Sequence, residues 1–158
     1  MKLRFNILWR VPVFCIVFSW ISYYLTLYIG GFFFTVKTIG ADGITEVSVD
    51  PVRSAVFNGS LFIIVLLLGG LWAFRSMTKT EIAFSAAIIS IINLAVTLMQ
   101  LYILSFPLAL SAKLASIQNW TGTLSSFLQK VTDNFLLSVL LSNFAPFLFI
   151  PFGKKSIE

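Results

Sequence analysis

The sequence predicts an all-α integral membrane protein. We expect a bundle of four transmembrane helices, a short outer β-hairpin between helices 1 and 2, and an interfacial amphipathic segment between helices 3 and 4. Composition is the first reason, since the 158 residues are 58% hydrophobic and only 11% charged. Soluble domains carry about 25% charged residues. The second reason is that the uncharged residues form long, continuous runs that short polar segments separate.

Four uncharged runs are long enough to cross a bilayer, for which a helix needs roughly 20 residues. The runs are residues 11–36, 54–74, 82–112 and 134–153. They do not alternate between apolar and polar residues as barrel strands do, and a helix satisfies its own backbone hydrogen bonds in lipid. We therefore place one membrane domain over 1–158, with spans at about 11–34, 54–74, 82–106 and 134–151.

Residues 35–50 predict the β-hairpin. Its β-branched residues alternate roughly with polar ones on either side of Asp42-Gly43, a dipeptide that favours a tight turn. Asp50-Pro51 then ends the second strand. Because a lone hairpin is only marginally stable in water, we expect it to contact the membrane surface or a partner.

Residues 108–132 predict an interfacial segment. Apolar residues recur there at helical spacing in two sets that Gly122 separates, and Trp120 would lie at the headgroup level. A short re-entrant segment is the alternative. Glycine and proline modify the spans: Gly69-Gly70 predicts a close helix crossing or a bend, Pro107 an end or kink in span 3, and Pro146 a kink in span 4.

The distribution of lysine and arginine predicts that both termini are cytoplasmic, following the positive-inside rule. Four spans place seven basic residues on the side of the termini: Lys2, Arg4, Arg10, Arg75, Lys79, Lys154 and Lys155. The other side receives Lys37, Arg53, Lys113 and Lys130. The net charge of +5 is thus an orientation signal, and we expect no nucleic-acid partner.

Small residues form a stripe along span 1. Cys15, Ser19, Ser22, Thr26 and Gly30 fall within roughly 80° of arc on a helix. Such stripes let helices approach closely, so a helix-packing seam is the favoured interpretation. A ligand-lining role is the alternative.

A more polar stripe follows span 3. Ser90, Asn93, Thr97 and Gln100 share one face, and an amide that faced lipid would leave its donors unsatisfied. This face must therefore point into the bundle or into another protein. Hydrogen bonding between helices, a polar cavity or pore lining, and a partner-binding face all remain open.

Missing residue types exclude several kinds of chemistry. The chain has no histidine and only one cysteine, and no charged residue lies deep within a predicted span. Proton-coupled transport, intramembrane proteolysis and Cys-pair redox chemistry all need such groups. We find no metal site, cofactor motif or phosphate-binding loop, and expect neither a catalytic residue nor a cofactor.

Two non-enzymatic hypotheses are favoured over a third, an intramembrane enzyme that would use Tyr, Ser or Asn or borrow groups from a partner. The first of the two is a small protein of the bacterial cytoplasmic membrane that contacts another membrane protein, as an accessory subunit or an immunity-type inhibitor of a pore-forming toxin. Its partners would be the lipid bilayer and either a membrane protein or further copies of itself. The alternative is an oligomeric channel or carrier lined by the polar stripe of span 3.

Overall fold

A computed structural model describes residues 4–39, 45–102 and 108–155, and most of them are helical. The α-helices and strands are α1 (Arg10–Leu25), α2 (Gly31–Phe34), β1 (Thr35–Ile39), β2 (Thr45–Val49), α3 (Pro51–Leu68), α4 (Lys79–Tyr102), α5 (Leu108–Thr132) and α6 (Phe135–Ser142). Helical turns of other pitch complete them: π turns at Thr26–Gly30 and Gly69–Ala73, and 3-10 turns at Phe5–Ile7 and Ala145–Phe152.

Three helical stretches are long and apolar enough to cross a membrane, namely Phe5–Phe34, Pro51–Ala73 and Lys79–Tyr102. A fourth candidate combines α6 with the 3-10 turns of Ala145–Phe152, which are bent by 41° relative to each other. The break lies just before Pro146, so the predicted kink is confirmed. The predicted end or kink of span 3 at Pro107 lies outside the described residues.

The β-hairpin is confirmed as a two-stranded antiparallel sheet, in which Thr35 lies opposite Val49. Its predicted turn at Asp42-Gly43 lies outside the described residues. Helix α3 follows directly, because the Asp50 carboxylate accepts hydrogen bonds from the first-turn amides of Val52 and Arg53 at 2.9 and 3.1 Å. Asp50 is therefore an N-cap, with Pro51 in the first turn, where its missing N–H costs least.

Helix α5 corrects the prediction for residues 108–132. It is one continuous helix that packs mainly against α1 and α6, and the Trp120 side chain is fully buried. Two polar side chains of α5 bond to other helices: Trp20 Nε1 donates to Ser116 Oγ at 3.0 Å, and Gln118 Nε2 donates to the Asn93 carbonyl at 2.6 Å. Trp120 therefore lies in the protein core and not on an exposed interfacial surface.

Aromatic rings form the centre of the core. Trp120 stacks between Phe62 and Phe149, with ring centroids 5.0 and 5.3 Å apart, and its Nε1 donates to the Phe62 carbonyl at 3.3 Å. Gly69 makes this packing possible, because a Cβ there would lie 2.5 Å from the Phe149 ring. The predicted close crossing at Gly69-Gly70 is thus present, together with a π turn that starts at Gly69.

Both described ends of the chain meet at the turn between α3 and α4. The Arg4 guanidinium contacts the Glu81 carboxylate at 2.8 and 2.9 Å, and this hydrogen bond raises the pKa of Arg4 above its ordinary value. Lys154 pairs in parallel with the turn, donating to the Met77 carbonyl at 2.9 Å and accepting from Lys79 N at 3.0 Å. Residues 4 and 154 therefore lie at the same end of the helices.

Candidate functional site

The small-residue stripe of span 1 faces the interior of the protein. Cys15, Ser19, Ser22 and Gly30 are buried, and Thr26 is half-buried. Ser19 Oγ accepts a hydrogen bond from the Trp120 amide at 3.3 Å, and Thr26 Oγ1 donates to Asn58 Oδ1 at 3.2 Å. A Cβ at Gly30 would lie 3.2 Å from the Phe57 ring. The stripe thus contacts both α3 and α5.

The polar stripe of span 3 is also turned inward. Ser90, Asn93 and Thr97 are buried and Gln100 is half-buried. Thr97 Oγ1 donates to Asn143 Oδ1 at 3.2 Å, which links α4 to the break after α6. Ser90 Oγ and Asn93 Oδ1 are buried without a hydrogen-bond partner among the described residues. Buried polar atoms of this kind are uncommon, since an unmade bond costs about 1–3 kcal/mol.

A polar cavity of about 350 Å³, which we name the central cavity, lies where α4, α5 and α6 meet. Its polar lining consists of hydroxyl and amide side chains: Thr97, Gln100, Gln118, Asn119, Thr121, Ser125, Ser142 and Asn143. None of these groups carries a charge. The cavity is therefore suited to water or to a small neutral solute that forms hydrogen bonds.

A second polar cavity of about 500 Å³, the hairpin-side cavity, lies on the other side of α5. Its polar lining comprises Thr26, Ser54, Asn58, Asn119, Thr123 and Ser126, and Val49 and Pro51 at the base of the hairpin close one edge. Asn119 and Gly122 line both cavities. Asn119 Nδ2 is buried without a hydrogen-bond partner among the described residues, so this amide stands unpaired where the two cavities come closest.

Four of the amides in these sites were not singled out by sequence reasoning, namely Asn58, Gln118, Asn119 and Asn143. Their signal was present, because an amide at membrane depth needs a partner wherever it lies. Asn143 follows Ser142 directly in the sequence, and helix α6 ends between the two residues. Helical spacing therefore did not identify Asn143. Gln118 and Asn119 were missed because the segment 108–132 was expected to lie at the membrane interface.

The hairpin carries most of its apolar side chains on one face. Alternate residues of a strand point to opposite sides, so the register places Ile39, Val47 and Val49 on the same face, together with Thr35, Thr45 and Lys37, which lies opposite Val47. The side chains of Ile39, Val47 and Val49 are 79%, 64% and 58% exposed. The opposite face carries Val36, which is half-buried, and the polar Thr38, Glu46 and Ser48, which are exposed. Three apolar side chains therefore face outward on an element that cannot lie within the helical core.

The helices expose large apolar side chains over much of their outer surface. The most exposed of those described are Phe32, Val131, Trp72 and Tyr102, at 89%, 84%, 80% and 80%. A surface of this kind is typical of a protein whose solvent is lipid or whose surface is covered by another protein.

No family model matches this chain, and neither curated proteins nor solved structures show a significant similarity to it.

Proposed function

We propose that this chain is a small, non-enzymatic protein of the bacterial cytoplasmic membrane that acts by contacting another membrane protein. The observation that carries this proposal is the hairpin, one face of which exposes the apolar side chains Ile39, Val47 and Val49 beside Lys37. Three helices long and apolar enough to span a membrane, or four with the bent pair, support the location.

The hairpin is held in a defined position relative to the helices. Asp50 N donates to the Phe34 carbonyl at 2.8 Å, which joins the end of β2 to the end of α2. Asp50 also caps α3, so the two strands continue directly into helices on both sides. An isolated two-stranded sheet is marginally stable. Its exposed apolar side chains would gain stability from a partner that covers them, and the outer edges of its two strands can add a partner strand.

The inward-facing polar stripe of α4 supports the same proposal. An oligomeric pore lined by that stripe would need the stripe exposed at a contact between copies. Ser90, Asn93 and Thr97 are instead buried within a single copy. Contacts to a partner would then use the hairpin and the apolar outer surfaces of the helices.

The experiment compares two hairpin variants in a pull-down from native membranes in mild detergent, followed by mass spectrometry. The first variant, Ile39→Thr/Val47→Thr/Val49→Thr, keeps the β-propensity of the strands but removes the apolar face. The control, Thr38→Val/Ser48→Thr, changes the opposite face. We expect the first variant to recover at least about tenfold less of a stoichiometric partner than the wild-type protein does. The control should recover as much of it as the wild type. Equal recovery by both variants would refute the role of the hairpin.

The central cavity favours a second candidate, a carrier or channel for small neutral solutes. Its lining by uncharged amides and hydroxyls is the specific observation, and the path would run through each copy. Proteoliposome flux of a neutral solute such as glycerol tests it. Lost flux with intact assembly in Gln100→Leu, which changes the lining of the cavity, would support transport, and intact flux or lost assembly would leave the polar stripe with a packing role.

A further inference from the structure

An open apolar groove of about 470 Å³ runs along α1, beside the turns that follow α3. We name it the α1 groove. Phe14 and Phe18 stack with ring centroids 4.3 Å apart, and Phe74 packs edge-on against Phe14 at 5.0 Å. Val13 and Val17 line the groove as well and are 55% and 46% exposed. The groove thus has an aromatic floor, and its aliphatic wall opens to the exterior.

The groove has a polar, positively charged mouth. Asn6, Trp9 and Arg10 line it at the start of α1, and all three are exposed. Arg10 Nη1 donates to Ser76 Oγ at 3.0 Å, which fixes the guanidinium beside the groove. Arg10 makes no ion pair with any described residue. A guanidinium has several further donors in a planar fork that matches phosphate oxygens.

A second groove on the molecule provides an internal comparison. It has about 510 Å³ and is lined by Phe33, Val56 and Phe57, with Arg53 at its edge. There the arginine has a carboxylate partner, because Asp50 Oδ2 lies 3.4 Å from Arg53 Nε. The two grooves are therefore similar in size and apolar character, but only the α1 groove combines apolar walls with an arginine that lacks a carboxylate partner among the described residues.

We propose that the α1 groove binds one anionic phospholipid, with its phosphate at Arg10 and an acyl chain along Val13, Val17 and Phe18. From Arg10 to Phe18 the helix rises about 12 Å, so the chain would run from the charged mouth into the apolar part of the span. Trp9 beside the charge suits the interface, where tryptophan rings lie at the headgroup level. Basic pockets between helices are a known means of holding anionic headgroups. The proposal rests on the membrane location and is independent of the hairpin and of any protein partner.

The test is a lipid titration followed by native mass spectrometry. The delipidated full-length protein in mild detergent receives phosphatidylglycerol or phosphatidylcholine with identical acyl chains. We expect one phosphatidylglycerol to be retained, at least about tenfold more tightly than phosphatidylcholine. Both lipids carry a phosphate, but the choline ammonium cancels its charge and is repelled by Arg10, whereas phosphatidylglycerol keeps a net negative charge.

Three variants identify the site. Arg10→Gln removes the charge and Val17→Trp fills the groove without changing the charge, and each should reduce phosphatidylglycerol binding about tenfold. Arg53→Gln makes the same charge change at the paired groove and should leave binding unchanged. Wild-type protein that retains both lipids equally would overturn the proposal without any variant. So would unchanged binding in Val17→Trp, or an equal loss in Arg53→Gln and Arg10→Gln.

Discussion

Gly153 is the residue at which two backbones come closest. A Cβ at this position would lie 2.8 Å from the Lys79 amide nitrogen and 2.9 Å from its Cα. These are backbone atoms at the start of α4, so they cannot move aside as a flexible side chain would. The contact holds residue 154 within hydrogen-bonding distance of the turn before α4. A hydrogen atom is the only side chain that fits this contact.

We predict that Gly153→Ala destabilises the protein by about 1–3 kcal/mol, the usual cost of overpacking. Gly122→Ala is the matched control, because a Cβ there would meet nothing within 4 Å. Alanine in a helix interior is favoured over glycine by about 0.5–1 kcal/mol, so the control should be neutral or stabilising. Thermal denaturation in detergent measures both. Equal stability of the two variants would contradict the close approach.

Trp120 is the central side chain of the core, since it stacks on two rings and is fully buried. We predict that Trp120→Ala costs about 3–5 kcal/mol, as is usual for a buried tryptophan. Trp72→Ala removes the same atoms at a position that is 80% exposed and should cost much less. Thermal denaturation in detergent again measures the difference. A tryptophan at the headgroup level would instead give a small loss at position 120, similar to that of Trp72→Ala.

At the residue scale, sequence reasoning failed at Trp120, which is fully buried although the residues around it are polar. Serines, threonines and amides around Trp120 resemble a water-facing surface in the sequence. Which of them face water depends on the partner atoms that other helices bring, such as Ser19 Oγ and the Asn93 carbonyl. That information is tertiary, so periodicity within residues 108–132 alone did not contain it.

At the element scale, the start of α4 is fixed by a reciprocal cap. Thr78 Oγ1 accepts from Glu81 N at 3.3 Å, and Glu81 Oε2 accepts from Thr78 N at 2.9 Å. This is a capping box, and its signature of Thr followed three residues later by Glu is visible in the sequence. The Arg4 guanidinium binds the same carboxylate. The start of the chain is thereby joined to the start of α4.

We predict that Arg4→Gln lowers stability, because it leaves the Glu81 carboxylate with only its capping bonds. The side chain of Glu81 is 4% exposed, whereas Asp50, in the other ion pair, is 29% exposed. Arg53→Gln at that pair should therefore have the smaller effect, since exposed pairs contribute little. Denaturation of both variants in detergent gives the comparison. A larger loss in Arg53→Gln would contradict the stabilising role of the Arg4–Glu81 pair.

The elements themselves were largely predictable, because their causes are local. Long apolar runs gave the helices, alternation and Asp50 gave the hairpin and its end, and Pro146 gave the bend. Local signals do not state how α5 packs, because its moderately polar composition suits either a membrane surface or a polar bundle interior. The cavities on both sides of α5 were unpredictable for the same reason.

At the scale of the whole molecule, basic groups gather around the end where residues 4 and 154 meet. Arg4 bonds to the Ser76 carbonyl at 3.2 Å, Arg10 bonds to the Ser76 hydroxyl, and Lys79 and Lys154 pair through their backbones. The positive-inside rule assigns such an end to the cytoplasm.

We predict that green fluorescent protein fused after residue 158 fluoresces in bacteria, because it folds only in the cytoplasm. Alkaline phosphatase inserted between β1 and β2 should be active, since it needs the oxidising exterior. A dark terminal fusion together with an inactive phosphatase insertion would place the hairpin in the cytoplasm and would invert the proposed orientation.

The protein is a helical bundle that turns the polar stripes of spans 1 and 3 inward and presents apolar side chains and the hairpin outward. The most direct test is the native mass of the tagged wild-type protein, extracted from its own membrane in mild detergent. The account predicts a stoichiometric complex with a different membrane protein. A pure homo-oligomer or monomer with no foreign partner would contradict the central claim and would turn attention to transport through the central cavity.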